Sequence, residues 1–121
     1  TDVGAGTTFN MFKTYGDAYK VSQLRNDPLS PLEGFYLMTQ GAAIAHGLDE
    51  EIGNLNPGTI ADFIVVEPRF DELTSLRIQQ DADFDDVFFA LSILGDDRAI
   101  AQTWISGNCC YEKSSGNNEL Q

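Results

Sequence analysis

The sequence predicts an α/β chain that forms the closing piece of a larger protein better than it forms a complete domain. Three observations predict this. The helical and strand-like patterns run in the order helix, helix, strand, helix, hairpin. The apolar residues of stretches such as "FDDVFFALSIL" are too dense for a helix with one exposed face. Three strands make a poor independent sheet, so both the strands and the helices need something further to cover.

Each element has its own signal. Thr7 or Thr8 can N-cap a helix running to about Leu24, with Met11, Tyr15, Ala18, Tyr19 and Ser22 along one side. "RNDPL" at Arg25–Leu29 is a turn, since Pro28 forbids helix. "SPLE" at Ser30–Glu33 carries a cap, a first-turn proline and the Glu of a capping box. The helix it opens places Leu32, Tyr36, Thr39 and Ala43 on one stripe, and Gly47 supplies a left-handed stop with Leu48 folding back. Asn56-Pro57-Gly58 is a turn, and Asp62–Glu67 reads as a strand with a buried apolar run. Phe70–Ala82 reads as irregular or weakly helical. Asp83 caps the next helix, which Gly95-Asp96-Asp97 ends. A hairpin follows, "AIAQTWIS" and "CCYE" about a Gly107-Asn108 turn. Ser114–Gln121 reads as a frayed, disordered tail.

The chain has 121 residues, 7 Lys and Arg against 19 Asp and Glu, and a net charge of −12. Such acidity disfavours nucleic acid and anionic membrane as partners, because both would be repelled. The longest apolar runs, Phe63–Val66 and Val87–Leu91, are far short of a membrane span. The two cysteines are neighbours, Cys109-Cys110, and on a strand they point to opposite faces, poorly placed to bond each other. They read as reduced thiols of a cytoplasmic protein. A redox pair or metal site is the sharper alternative, with no second Cys or His at ligand spacing to support it.

Candidates for chemistry are few. "TDVGAGTTFNMF" places Asp2 before a Gly-Ala-Gly run, as at the far end of an inner strand that passes into a loop over an active site. Taken alone, Asp2 is read in preference as a strand-end carboxylate capping the following turn. "VGAG" lacks the Lys and the glycine spacing of a phosphate-binding loop. His46, the one histidine, sits in the last helical turn beside Gly47 and reads as a helix-end residue favoured by the dipole, not as a ligand. In "LGDDR", Asp96, Asp97 and Arg98 can be an acid/base site or a turn held by Asp side chains on backbone N–H groups; the turn is favoured. The run Asp81–Asp86 reads as an acidic helix N-terminus.

"TDVGAGTTFNMFKTYGDAYKVSQL", "LSPLEGFYLMTQGAA", "GLDEEIGNLNPGTIADFIVVEP" and "LGDDRAIAQTWISGNCCYE" together resemble the C-terminal part of guanine deaminases of the amidohydrolase superfamily, in their bacterial form. The likeness runs from Thr1 to about Glu112, and "TDVGAGT" with "LGDDR" is its specific part. It implies a C-terminal fragment of a metal-dependent (β/α)8 barrel, a fold that takes about 250 residues in full, plus part of its flanking β-sandwich. Residues 1–50 would then end the last barrel strand and form the helices after it. Residues 51–70 would return into the sandwich, 71–98 would hold an irregular segment and a helix on the barrel, and 99–113 the terminal hairpin.

The resemblance also implies hydrolysis of guanine to xanthine and ammonia with one zinc ion, which lowers the pKa of its water from ~15.7 toward ~7. Asp2 would touch that zinc and shuttle the proton, with Val3–Thr8 lining the pocket at most. The remaining zinc ligands and the guanine-binding residues would lie N-terminal to Thr1, so no substrate-binding residue is assigned, and the 121 residues alone are expected to be inactive. A homodimer is implied as well. Two rival readings are a deaminase or chlorohydrolase of the same superfamily acting on another heterocycle, and a non-catalytic interaction module.

Overall fold

The computed structural model describes residues 5–6 and 8–114. Their elements are α1 (Met11–Leu24), α2 (Pro31–Met38), α3 (Gln40–His46), β1 (Phe63–Val66), α4 (Glu72–Arg77), α5 (Phe84–Leu94), a 3-10 turn at Asp97–Ala99, β2 (Ile100–Ile105) and β3 (Asn108–Glu112). The three strands form one antiparallel sheet in the order β1-β2-β3. Helices α1, α2 and α5 pack together, and the core is Phe12, Leu91 and Ala99 with Phe35, Met38, Val66 and Ile100 against them. The predicted element order holds, with one helix and one break added.

α1 begins later than the sequence suggests. Asn10, not Thr8, is its N-cap, and the Asn10 side chain accepts from Phe12 N–H. Thr8 instead accepts from Asn10 N–H through its hydroxyl; Thr7 lies outside the described residues. The inward side is Phe12, Tyr15 and Gly16, while Met11 is exposed. Gly16 explains the rotation, because it lets α5 approach to where a Cβ would stand 3.2 Å from the Ser92 carbonyl oxygen.

The capping box of α2 is present as expected. Glu33 N–H donates to Ser30 Oγ, and Ser30 N–H donates to Glu33 Oε2 at 2.9 Å. That bond to the Ser30 backbone holds the Glu33 carboxyl below its ordinary range. The expected stripe does not hold, however, since Leu32 and Tyr36 are exposed and Gly34 is buried. The Tyr15 ring lies against Gly34, where any Cβ would overlap it, and Tyr15 Oη donates to Leu29 O. Burial of this ring raises the Tyr15 pKa above its usual value.

The stripe was drawn through to Ala43 as if the helix were continuous. Thr39 breaks it, at φ −126° and ψ −102°, with its hydroxyl donating to Phe35 O at 2.8 Å. That bond competes with the helical ladder and resets the phase, so α3 buries Ala43 on its own terms. Gly47 ends α3 at φ 67°, and Leu48 N–H donates to Ala43 O at 2.9 Å, the left-handed stop read from the sequence.

β1 departs from the expected buried run, because Ile64 and Val65 are exposed. A continuous buried run needs neighbours on both sides and cover on both faces. Here β1 lies at one edge of the described sheet. Phe63 stacks on Trp104 of β2 with ring centroids 5.5 Å apart and planes within 11°. The hairpin turn is Ser106-Gly107, both at positive φ (49° and 73°), so Asn108 belongs to β3 and the turn falls one residue earlier than expected. Asp62 fixes that turn from β1's side by accepting from Ser106 N–H at 2.7 Å.

The segment read as irregular or weakly helical contains α4. Asp71 caps it, accepting from Thr74 N–H at 2.8 Å, while Thr74 Oγ1 accepts from Asp71 N–H. This is a capping box written with Asp and Thr instead of Ser and Glu, which is why the usual pattern misses it. The Asp83 cap and the acidic first turn of α5 are as expected.

Adding one methyl group tests the Tyr15–Gly34 contact. Gly34→Ala should lose about 1–3 kcal/mol of stability, the usual cost of overpacking. Thermal unfolding of the protein carrying this chain would show it, and an unchanged Tm would contradict the close Tyr15–Gly34 contact.

Candidate functional site

Asp2, the predicted catalytic and metal-binding residue, lies outside the described residues, as does Thr7 of the predicted loop. The structure does describe what that loop leads into. Asn10 closes the loop at the start of α1, and its Nδ2 donates to the Gly95 carbonyl at 3.1 Å. Gly95 is buried there; a Cβ would strike the Leu91 carbonyl and come within 2.9 Å of the Phe12 ring. The residue that opens α1 and the glycine of "LGDDR" therefore meet although they lie 85 positions apart.

Beyond Gly95 the "LGDDR" cluster is a turn, as favoured from the sequence. Asp96 Oδ1 accepts from Arg98 N–H at 2.9 Å. The Arg98 guanidinium grips the same carboxylate with two nitrogens, at 3.1 and 2.8 Å. Its Nη2 also lies 3.1 Å from Asp71 Oδ2, the α4 cap, and the guanidinium sits 5.0 Å over the Phe70 ring. Lys113, just past β3, donates to the Arg98 carbonyl. One arginine thus joins α4, the end of α5 and the start of β2.

The electrostatics suit a structural role. Hydrogen bonds from Arg98 hold the Asp96 carboxyl below the ordinary carboxylate range. Bonds from Thr74 do the same for Asp71, with Arg98 adding to it. A group kept ionised this firmly is a poor proton donor near neutral pH. Asp96 and Asp97 also border an apolar cleft of about 450 Å³ with Phe9, Phe12, Phe35 and Met38. A larger cleft of about 510 Å³ lies between α3 and β1, lined by His46, Leu48, Ile52 and Phe63. The smaller one adjoins the predicted loop, since Phe9 and Asn10 line it, and it is the better candidate for the site's surroundings.

His46 is exposed in the last turn of α3, in agreement with a helix-end residue. Cys109 and Cys110 are free and exposed on β3. Among the described residues no group of three or more His, Cys, Asp or Glu side chains could hold a metal ion. No described helix is long and apolar enough to cross a membrane. Sequence reasoning missed Asn10 and the Asp71–Arg98 pair. Asn10 was recoverable as the cap residue immediately before the helical pattern, whereas the pairing across 27 positions left no local trace.

The amidohydrolase family matches residues 1–110, and the chain belongs to that family. Among individual proteins it is similar to the guanine deaminase of Escherichia coli strain K12, 48% identical over 114 residues. The solved E. coli structure superposes with a TM-score of 0.89 over 94% of this chain and 26% of that one. The crystal structure of a guanine deaminase from Bradyrhizobium japonicum follows at 33% identity and a TM-score of 0.82, covering 94% and 30%. A zinc-bound adenosine deaminase from Xanthomonas campestris, 24% identical with a TM-score of 0.61 over 82% and 21%, shares the fold. The chain spans about a quarter of the length of the curated relatives it matches.

The depressed carboxyl pKa values set a pH dependence. Asp71 and Asp96 ionise more readily folded than unfolded, where about 3.9 is usual. Their stabilisation is complete above that value and is lost as pH falls through the lowered folded values. Asp96→Asn should therefore lower Tm near neutral pH, and its deficit against the parent should shrink as pH falls below about 4. Thermal scans across that range would reveal it; a deficit that stays constant with pH would contradict the ion-pair account.

Proposed function

We propose that this chain is the C-terminal part of a guanine deaminase, hydrolysing guanine and water to xanthine and ammonia. The observation that carries the reading is the match to the E. coli guanine deaminase over 94% of this chain, in sequence and in fold. Residues 1–50 are read as the end of the last strand of a (β/α)8 barrel with its following helices. Residues 51–70 and 99–113 are read as β-sandwich, and 71–98 as helical cover for the barrel. Exposed Phe84, Leu73 and Leu76 support this, because large apolar side chains in the open suit surfaces that other polypeptide covers.

Asp2 is the residue proposed to act. A carboxylate at this position accepts a proton while water adds to the amino-bearing carbon of guanine, then returns it to the departing ammonia. The described residues do not fit a zinc ion by themselves, since no three ligating side chains converge among them. Zinc is proposed for the whole protein, with Asp2 as this chain's one contribution to holding it. Guanine as substrate, a homodimer and a cytoplasmic location complete the proposal. Neither nucleic acid nor membrane is proposed as a partner, in keeping with the net charge of −12.

The protein carrying this chain should release xanthine and ammonia one to one from guanine. Asp2→Asn should lower kcat by about 10²–10⁴, the range of a lost general acid–base group. Unchanged turnover in that variant would remove Asp2 from the chemistry. A second expectation is that the 121 residues produced alone bind no stoichiometric zinc and form no xanthine, which metal analysis and a xanthine assay would decide.

A further inference from the structure

We propose that Cys109 and Cys110 form a two-sulfur site for a thiol-seeking trivalent arsenic group, set up by a bulge in β3 that turns both side chains to one side of the sheet. On a regular strand neighbouring side chains point to opposite faces, which is why the sequence alone sets this pair apart. The sheet is not regular here. Trp104 pairs with Cys109 and Thr103 with Tyr111, and the register shifts between them. Cys110 is therefore an extra residue with no partner of its own on β2, a bulge of one residue.

The faces follow from that register. Directly opposed residues share a face, so Cys109 lies on the Trp104 side and Tyr111 on the Thr103 side. Trp104 and Thr103 are neighbours on β2, in regular register with Phe63 and Ile64 of β1, and so face opposite ways. Cys109 and Tyr111 thus point apart, although residues two positions along a regular strand point together. The bulge absorbs this reversal at Cys110. Both sulfurs lie against one short stretch of backbone. Cys109 Sγ donates to Tyr111 O at 3.3 Å and Cys110 Sγ to Asn108 O at 3.5 Å, each reaching past the other residue. Both thiols are free and exposed, on a strand at one edge of the described sheet.

The pair suits a bridging atom better than a disulfide. Consecutive Cα atoms stand about 3.8 Å apart, short of the ~4.4–6.8 Å that disulfides span. An atom between the sulfurs enlarges the ring and relieves that constraint. Tetrahedral zinc would need further ligands, and among the described residues no third His, Cys, Asp or Glu joins the pair. A trivalent arsenic that keeps one organic substituent needs only two sulfurs. In the capture of an organoarsenic oxide, two As–S bonds form and the bonding of arsenic to oxygen breaks. The oxygen leaves as water with both thiol protons, arsenic stays trivalent, and no oxidant or reductant takes part.

Phenylarsine oxide added to the reduced full-length protein tests the site. Mass analysis of the peptide carrying residues 108–112 should show one phenylarsenic group with both thiols consumed. A small dithiol should remove it and a monothiol should not. Cys109→Ser and Cys110→Ser should each keep the parent Tm yet weaken capture at this peptide by about a hundredfold or more, the loss of a chelate's second arm. A synthetic peptide of residues 106–113, whose side chains rotate freely, is the reference for the bulge. The folded protein should hold the probe at least as tightly as that peptide, because its sulfurs are already turned together. Weaker binding than the peptide, or capture only in denaturant, would overturn the proposal, since the thiols would then face apart or lie covered. Parent-like capture in either serine variant would overturn it as well, because one sulfur would then suffice.

Discussion

The described part of this chain depends on what Arg98 holds together. A lone exposed ion pair contributes about 0–1 kcal/mol, and the Arg98 side chain is more than half exposed. Its importance lies in geometry. The guanidinium meets Asp96 with two nitrogens, reaches the Asp71 cap of α4 and lies on the Phe70 ring, while the backbone N–H and carbonyl of the same residue are also bonded. The planar fork of arginine allows this, and a lysine's point charge could not reproduce it. With the turn fixed, Gly95 has a fixed carbonyl to offer, and the start of α1 has something to hold.

Around that junction the packing is mainly aromatic. Phe35 lies 5.9 Å from Phe12 and 4.6 Å from Phe88, and Tyr19 meets Phe89 edge-on at 5.5 Å. These contacts bind α1, α2 and α5 into one layer, and Gly16 and Gly34 set how closely the layer can close. Few side chains are fully buried, and many large apolar ones stand exposed. That balance agrees with a chain that matches about a quarter of its relatives' length and belongs to a family of much larger proteins.

Local signals were legible in the sequence, and signals spread across the chain were not. Ser30-Pro31-Leu32-Glu33, Gly47 and Asp83 act within one helical turn, and each does what its chemistry dictates. The stripe through Leu32, Tyr36, Thr39 and Ala43 failed because its period assumed a helix that Thr39 interrupts. The α1 stripe holds at Tyr15, with Tyr19 and Ser22 half-buried, but Met11 and Ala18 are exposed, and Phe12 and Gly16 turn inward where Gly16 touches α5. α4 was read only as irregular or weakly helical, because its box exchanges the usual residue types. As for the site, the turn in "LGDDR" was legible from its acids and arginine. Its bond to Asn10 was not, because nothing local marks a contact across 85 positions.

The central claim is that the second residue of this chain works at a metal centre assembled with polypeptide beyond the 121 residues. A crystal structure of the zinc-loaded, full-length protein tests it most directly, by the distance from the Asp2 carboxylate to the ion. The account expects one ion with an Asp2 oxygen at about 2.0–2.2 Å, the usual zinc–carboxylate separation. An Asp2 side chain turned away and capping its own turn, with the zinc fully held by other residues, would contradict it.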